Sequence, residues 1–186
     1  MNDAAAAWPA ALRFLHWLSA VLVVASLGLG VIMVQFTHDA AARFELTQTH
    51  KSIGVAVLAF TIVRLCVRAL TSAPKPEPTT PLLQLAAKTA HIALYVLVVV
   101  MPLSGWLMVT TTPVRVPTVA FGLFPLPYPF APNLPFYRAA HTVHVAAAIA
   151  LTALVTVHVA AALVHTFIWR DRTLARMWRI GRADRT

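Results

Sequence analysis

Four long apolar runs, none interrupted by an acidic residue, constrain this chain more than any other feature. A helix needs about 20 apolar residues to cross a bilayer. The runs from about Phe14 to Phe36, His50 to Leu70, Thr89 to Val109 and Ala139 to Trp169 all reach that length. Hydrocarbon offers no partner for backbone N–H and C=O groups, so such a run must close its own hydrogen bonds as a helix. The six acids (Asp3, Asp39, Glu45, Glu77, Asp171 and Asp184) all fall in tails or connections. Composition agrees: 59% of the 186 residues are hydrophobic and 11% are charged, where a soluble domain carries roughly 25% charged residues. The expected fold is an all-α membrane protein, a single domain over residues 1–186. Its four transmembrane helices, about 12–36, 50–70, 86–110 and 138–169, form an antiparallel bundle.

The net charge of +9 is compatible with nucleic-acid binding, but its distribution argues for a membrane instead. With four spans both termini share one side. That side holds Arg13, Arg64, Arg68, Lys75, Lys88, Arg170, Arg172, Arg176, Arg179, Arg182 and Arg185, eleven cations against four (Arg43, Lys51, Arg115 and Arg138) on the other. An excess of this kind marks the cytoplasmic side, so both termini are expected in the cytoplasm, with the basic C-terminal tail against anionic lipid. No nucleic-acid partner is expected. The apolar run after Arg13 is too long for a cleavable signal and reads as an uncleaved anchor. Cys66 is the single cysteine, which excludes an internal disulfide and any multi-cysteine cluster, and it reads as small apolar filler.

Three connections join the spans. The first, Gln35 to Gln48, reads as a short polar loop on the outer face, and the second, Thr71 to Pro81, as a stiff proline-rich linker on the inner face. The third, about Thr110 to Tyr137, carries prolines 113, 117, 125, 127, 129, 132 and 135, which exclude a long helix. Its Phe, Leu and Tyr residues suggest a cap lying in the outer interface.

The chain also carries eight histidines, and an ionisable residue inside a span points to function. His38, in the outer connection, reads as a solvated side chain. In the fourth span His144 and His158 are 14 residues apart. That spacing corresponds to about 21 Å along the axis and falls about 40° short of four full turns. The two rings therefore share a face near opposite surfaces. His141 lies about 100° away from the His158 direction, and His165 shares the face but sits at the headgroups. His16 enters at the inner surface and His50 at the outer, giving two depth-matched pairs, His16 with His158 and His50 with His144.

Two imidazoles from different helices at one depth, repeated at a second depth, fit the axial positions of two haem irons in a helical bundle. The small residues Gly28, Gly30, Gly54 and the alanines of the fourth span would let a flat ring approach the backbone, as they would for plain helix packing. Zinc wants three or four ligands, often with carboxylate or cysteine. A proton relay wants intramembrane acids. A bundle without haem, in which the histidines bond neighbouring helices, stays open at this point.

The segments around these residues resemble the bacterial cytochrome b561 family: RFLHWLSA around His16, THKSIG around His50, HIALYVLVVVMPLSGWLM from His91, VAFGLFPLPY in the third connection and HVAAALVHTFIWRDRTLARM from His158. The resemblance runs from about Leu12 to Met177 and implies a four-helix protein of the inner membrane with two haem b groups. On matching positions it implies His16 and His158 as ligands of the inner iron, and His50 and His144 of the outer. Val143 stands where the family has an aromatic, and His141 competes with His144 one turn away. His91 and His165 match family histidines outside the ligand set, His91 with a possible part in proton uptake near the inner surface. Arg13, Arg68 and Arg170 inside, and Lys51, Arg115, Arg138 and Arg43 outside, are candidates to pair the haem propionates or, outside, to attract an anion. The implied activity is electron exchange with the quinone pool. One form of it is a superoxide oxidase that passes electrons to ubiquinone. The other is a non-catalytic haem subunit relaying electrons for a soluble dehydrogenase or a periplasmic cytochrome.

Overall fold

A computed structural model describes residues 7–74, 77 and 79–178 of the chain. Four long helices dominate it: α1 (Ala10–Val31), α2 (Ala40–Ala69), α3 (Pro81–Thr111) and α4 (Leu134–Phe167). Each is long and apolar enough to cross a membrane. A π-helical turn, Ile32–Phe36, continues α1. Two-residue strands β1 (Val119–Ala120) and β2 (Phe124–Pro125) pair antiparallel in the third connection. A single turn, α5 (Ala175–Trp178), follows α4.

The helices exceed their apolar runs, and the local chemistry explains where each begins. The Gln35 to Gln48 segment is mostly helix, not loop: α2 starts at Ala40, ten residues before His50, because the Asp39 carboxylate accepts from Ala42 N at 2.7 Å and caps it. Good helix formers then carry the chain outward past the apolar span. At α3, Thr80 Oγ1 accepts from Leu83 N and Pro81 takes the first helical position, where its missing N–H costs nothing. Asn133 caps α4 through Phe136 N at 3.0 Å, and Pro135 falls in the first turn, so it does not hold the helix back. Pro102 lies inside α3, where it leaves the Val98 carbonyl without its helical partner.

α1 packs on α2, α2 on α3 and α3 on α4, while α4 keeps its backbone apart from α1 and α2 along almost all of its length. Much of each helix's outer surface is bare hydrophobe, for example Val21, Val24, Ile62, Ile92, Ile149 and Val157. Bilayer lipid is the solvent such surfaces require. Cys66 also lies on this exposed side of α2. The small hydrophobic core draws on every span: Val23 of α1, Val57 of α2, Met101 of α3, and Ala147 and Leu151 of α4.

The third connection folds as a clamped cap. Phe121 and Gly122 adopt left-handed φ values of 54° and 69°, which turn the β1–β2 hairpin. Ser52 Oγ accepts from Phe121 N at 2.9 Å, Gln48 Nε2 donates to Pro117 O at 2.8 Å, and Lys51 Nζ donates to Thr118 Oγ1 at 3.1 Å. From α3, Trp106 Nε1 reaches Pro127 O. Thr110, Thr111 and Thr118 are completely buried beneath these contacts. The cap thus roofs one face of the bundle, the cap face. The opposite face, where α1 begins and α4 ends, is the terminal face.

The terminal face has its own cover. After α4 the chain turns through Arg170, at φ 53°, and brings α5 back over α1. Trp17 Nε1 donates to Met177 O at 2.9 Å and the Trp17 and Trp178 rings meet edge to face at 5.1 Å. Arg176 pairs with Glu77 at 2.7 Å. Lys75, Arg179, Arg182 and Arg185, part of the expected basic surface on this side, lie outside the described residues.

Candidate haem-ligand pairs

The two histidine pairs expected from depth meet in space. His16 of α1 and His158 of α4 have ring centroids 6.3 Å apart at the terminal face. His50 of α2 and His144 of α4 are 6.2 Å apart toward the cap face. These pairs bridge the two helix combinations, α1 with α4 and α2 with α4, whose backbones stay apart. The hydrophobic core lies between them: Val23 and Val57 are seven residues from His16 and His50, about 10 Å at helical rise.

The spacing suits one ion per pair. Two imidazoles on opposite sides of a metal, each nitrogen about 2 Å from it, place their centroids about 6 Å apart. Among the described residues no three of His, Cys, Asp and Glu converge where a metal could sit. At each face one cross-helix pair stands at this spacing, which suits the two axial positions of a porphyrin iron.

At the cap-face pair the tautomer is fixed as well. His50 Nδ1 lies 3.0 Å from Ser26 O, and His144 Nδ1 lies 3.0 Å from Met101 O. A carbonyl only accepts, so both Nδ1 atoms carry the proton and both Nε2 atoms keep a lone pair for a metal. Ser26 Oγ and Ser104 Oγ stand at 3.3 and 3.0 Å from the same nitrogens. Gly105 makes room: a Cβ there would lie 3.1 Å from His144 Cε1, whereas one on Gly30 would lie 3.7 Å from His50 Cε1, an ordinary contact. A Cβ at Gly28 or Gly54 would meet no protein atom within 4 Å.

The terminal-face pair is built differently. Arg13 Nε, His16 Nδ1 and Ser19 Oγ, on successive turns of α1, are buried without a protein partner. Such atoms mark a place where another group supplies the bonds. His91 of α3 also approaches His158, at 5.6 Å. Arg64 of α2 sets its guanidinium 5.2 Å from the Tyr95 ring centre of α3.

The remaining candidates stand apart. His141 is exposed and tilts against Tyr137, so His144, not His141, faces His50. His165 bonds Asp171 and Thr173 below the end of α4 and packs edge-on against Trp169. Arg68 donates to Thr71 O and covers Trp8, Arg115 donates to Phe130 O, and Arg138 and Arg170 are exposed. Arg43 holds Thr37 O. Beside the cap, an open pocket of about 460 Å³ is lined by His38, Arg43, Gln48, Lys51, Met108 and Tyr137 among others.

Comparison with known proteins identifies the family. The family model of prokaryotic cytochrome b561 matches residues 7–179. The chain is also similar to cytochrome b561 homolog 2 of Escherichia coli (strain K12), 33% identical over 163 residues, covering 87% of this chain and 86% of that protein. A match over nearly the whole length, on a four-helix membrane bundle, places the chain in the prokaryotic cytochrome b561 family, whose members carry electrons on membrane-bound haem b.

Proposed function

We propose that the protein holds two haem b groups, one on His16 and His158 and one on His50 and His144, and passes electrons across the bacterial inner membrane in exchange with the quinone pool. The terminal face is then cytoplasmic, as the charge asymmetry requires. The observation that carries this reading is the pair of cross-helix histidines at each depth, at 6.3 and 6.2 Å. With two imidazoles to hold it at each depth, a bound haem would supply electron exchange without oxygen binding. The chain's own part is to hold the four rings, fix the cap-face tautomers and keep water out with the Val23, Val57, Met101, Ala147 and Leu151 core.

The cap-face pocket favours an anionic outer donor. Arg43 and Lys51 line it, and Lys51 directly follows the ligand candidate His50. A cationic mouth raises the local concentration of an anion such as superoxide, which favours superoxide:ubiquinone oxidoreduction over a passive relay for a soluble partner. Purified protein reduced with dithionite should show low-spin b-type bands and two haems per chain. Each of His16→Ala, His50→Ala, His144→Ala and His158→Ala should lose about one haem, while His91→Ala and His141→Ala keep both. Loss in His141→Ala with retention in His144→Ala would overturn the pairing. Superoxide mixed rapidly with the protein and a soluble quinone should reduce the quinone; no reduction would leave the relay.

A further inference from the structure

At the terminal face, ring contacts run in a chain from the surface to a ligand candidate. Trp178 is 66% exposed and meets Trp17 edge to face at 5.1 Å. Trp17 in turn meets the His16 ring edge to face at 5.3 Å, and His16 faces His158 at 6.3 Å. Neighbouring side chains on a helix diverge by about 100°, so the contact with His16 depends on how the Trp17 indole is turned. The bond that holds it comes from another element: Trp17 Nε1 donates to Met177 O of α5 at 2.9 Å.

A single turn such as α5 does not hold a position by itself, and contacts along its segment tie it down. Trp8 N donates to Arg176 O at 3.3 Å, and Arg176 pairs with Glu77 at 2.7 Å. Where the chain leaves α4, Asp171 bonds His165 and accepts from Thr173 N. Arg68 of α2 covers the Trp8 ring at 5.2 Å. The segment is therefore a strap, fixed to the entry of α1, the second connection and the end of α4, that brings Met177 and Trp178 to one indole. The cap-face rings are held differently, from within the spans, by Ser26 O and Met101 O.

We propose that Trp17 is a positioning residue for His16, clamped by the α5 strap: it sets the plane of that imidazole against His158, with 69° between the two rings, from a segment beyond the spans. Outer contacts of this kind orient a metal-binding imidazole. In a low-spin iron held by two imidazoles, the angle between their planes sets the splitting of the iron orbitals, which the low-field EPR feature of the oxidised protein reads. The proposal rests on the two-haem reading, and the test separates the two. Haem content and b-type bands report on that reading alone. EPR of the oxidised two-haem protein then reports on Trp17, with His144→Ala identifying the terminal-face feature as the one that remains.

Trp178→Ala, which changes no residue of α1, should broaden and shift the terminal-face feature and leave the cap-face feature in place. Trp178→Phe keeps an aromatic edge on Trp17 and should restore the original feature. Trp17→Phe keeps a ring beside His16 but has no N–H for Met177 O, and should shift the same feature. The two Trp178 variants decide the matter if Trp17→Phe fails to assemble. The proposal is overturned if Trp178→Ala leaves the terminal-face feature unmoved or shifts both features equally. It is also overturned if Trp178→Phe departs as far as Trp178→Ala, by EPR shift or by haem loss.

Discussion

At the scale of single residues, the atoms around the histidines decide more than the histidines do. His141 and His144 are one turn apart on the same helix, yet only His144 meets a carbonyl, a serine and a facing ring. Gly105 is part of that geometry, because a methyl group there would lie 3.1 Å from the His144 ring. Gly105→Ala should therefore displace the ring, at an overpacking cost of about 1–3 kcal/mol, and lower haem occupancy at the cap-face site. Gly30→Ala, with 3.7 Å of clearance, should bind as the unaltered chain does. Haem-to-protein ratios of the two variants check this, and equal ratios would remove Gly105 from the site.

Among the elements, the cap is the least regular and the most firmly tied. Ser52 is almost fully buried and its hydroxyl accepts from Phe121 N, the turn residue of the hairpin. Ser52→Ala strands that N–H, at about 1–3 kcal/mol. The cap should then loosen while the spans hold. Limited proteolysis in detergent would show faster cutting near residues 119–125, with the long helices still protected. α2 matters here too, since its early start at the Asp39 cap carries Gln48, which with Lys51 one turn on holds the roof.

For the molecule as a whole, the two faces are closed by different chemistry. The cap face is held by hydrogen bonds with no acidic partner, whereas the terminal face also carries the Arg176–Glu77 pair and the His165–Asp171 contact. Burial acts against ionisation of Asp171, but hydrogen bonds from His165 and from Thr173 N at 2.8 Å more than offset it, holding the carboxyl below its usual value. A carboxyl depressed in this way stabilises the fold above its unfolded value, about 3.9, and the contribution disappears as the pH falls through the folded value. At pH 7 Asp171→Asn should free the segment carrying α5 and change the tryptophan fluorescence of Trp17 and Trp178, which meet at 5.1 Å. The unaltered protein should converge on the variant's signal only in strong acid. A difference that persists unchanged to low pH would rule out the carboxylate as its source.

The sequence by itself determined the four spans, the side expected to face the cytoplasm and the two histidine pairs. Apolar length and helical rise are local quantities, and a helix in lipid has no alternative way to satisfy its backbone. It did not reveal the extended start of α2 or the hairpin in the cap, where capping atoms and left-handed residues act against no periodic pattern. Tertiary structure alone brought Ser26, Ser104 and Gly105 to the rings and set Arg64 over Tyr95. Each of those depends on how neighbouring helices are rotated and shifted against one another. That rotation is set by packing between side chains distant in sequence, which the spacing within any one helix does not encode.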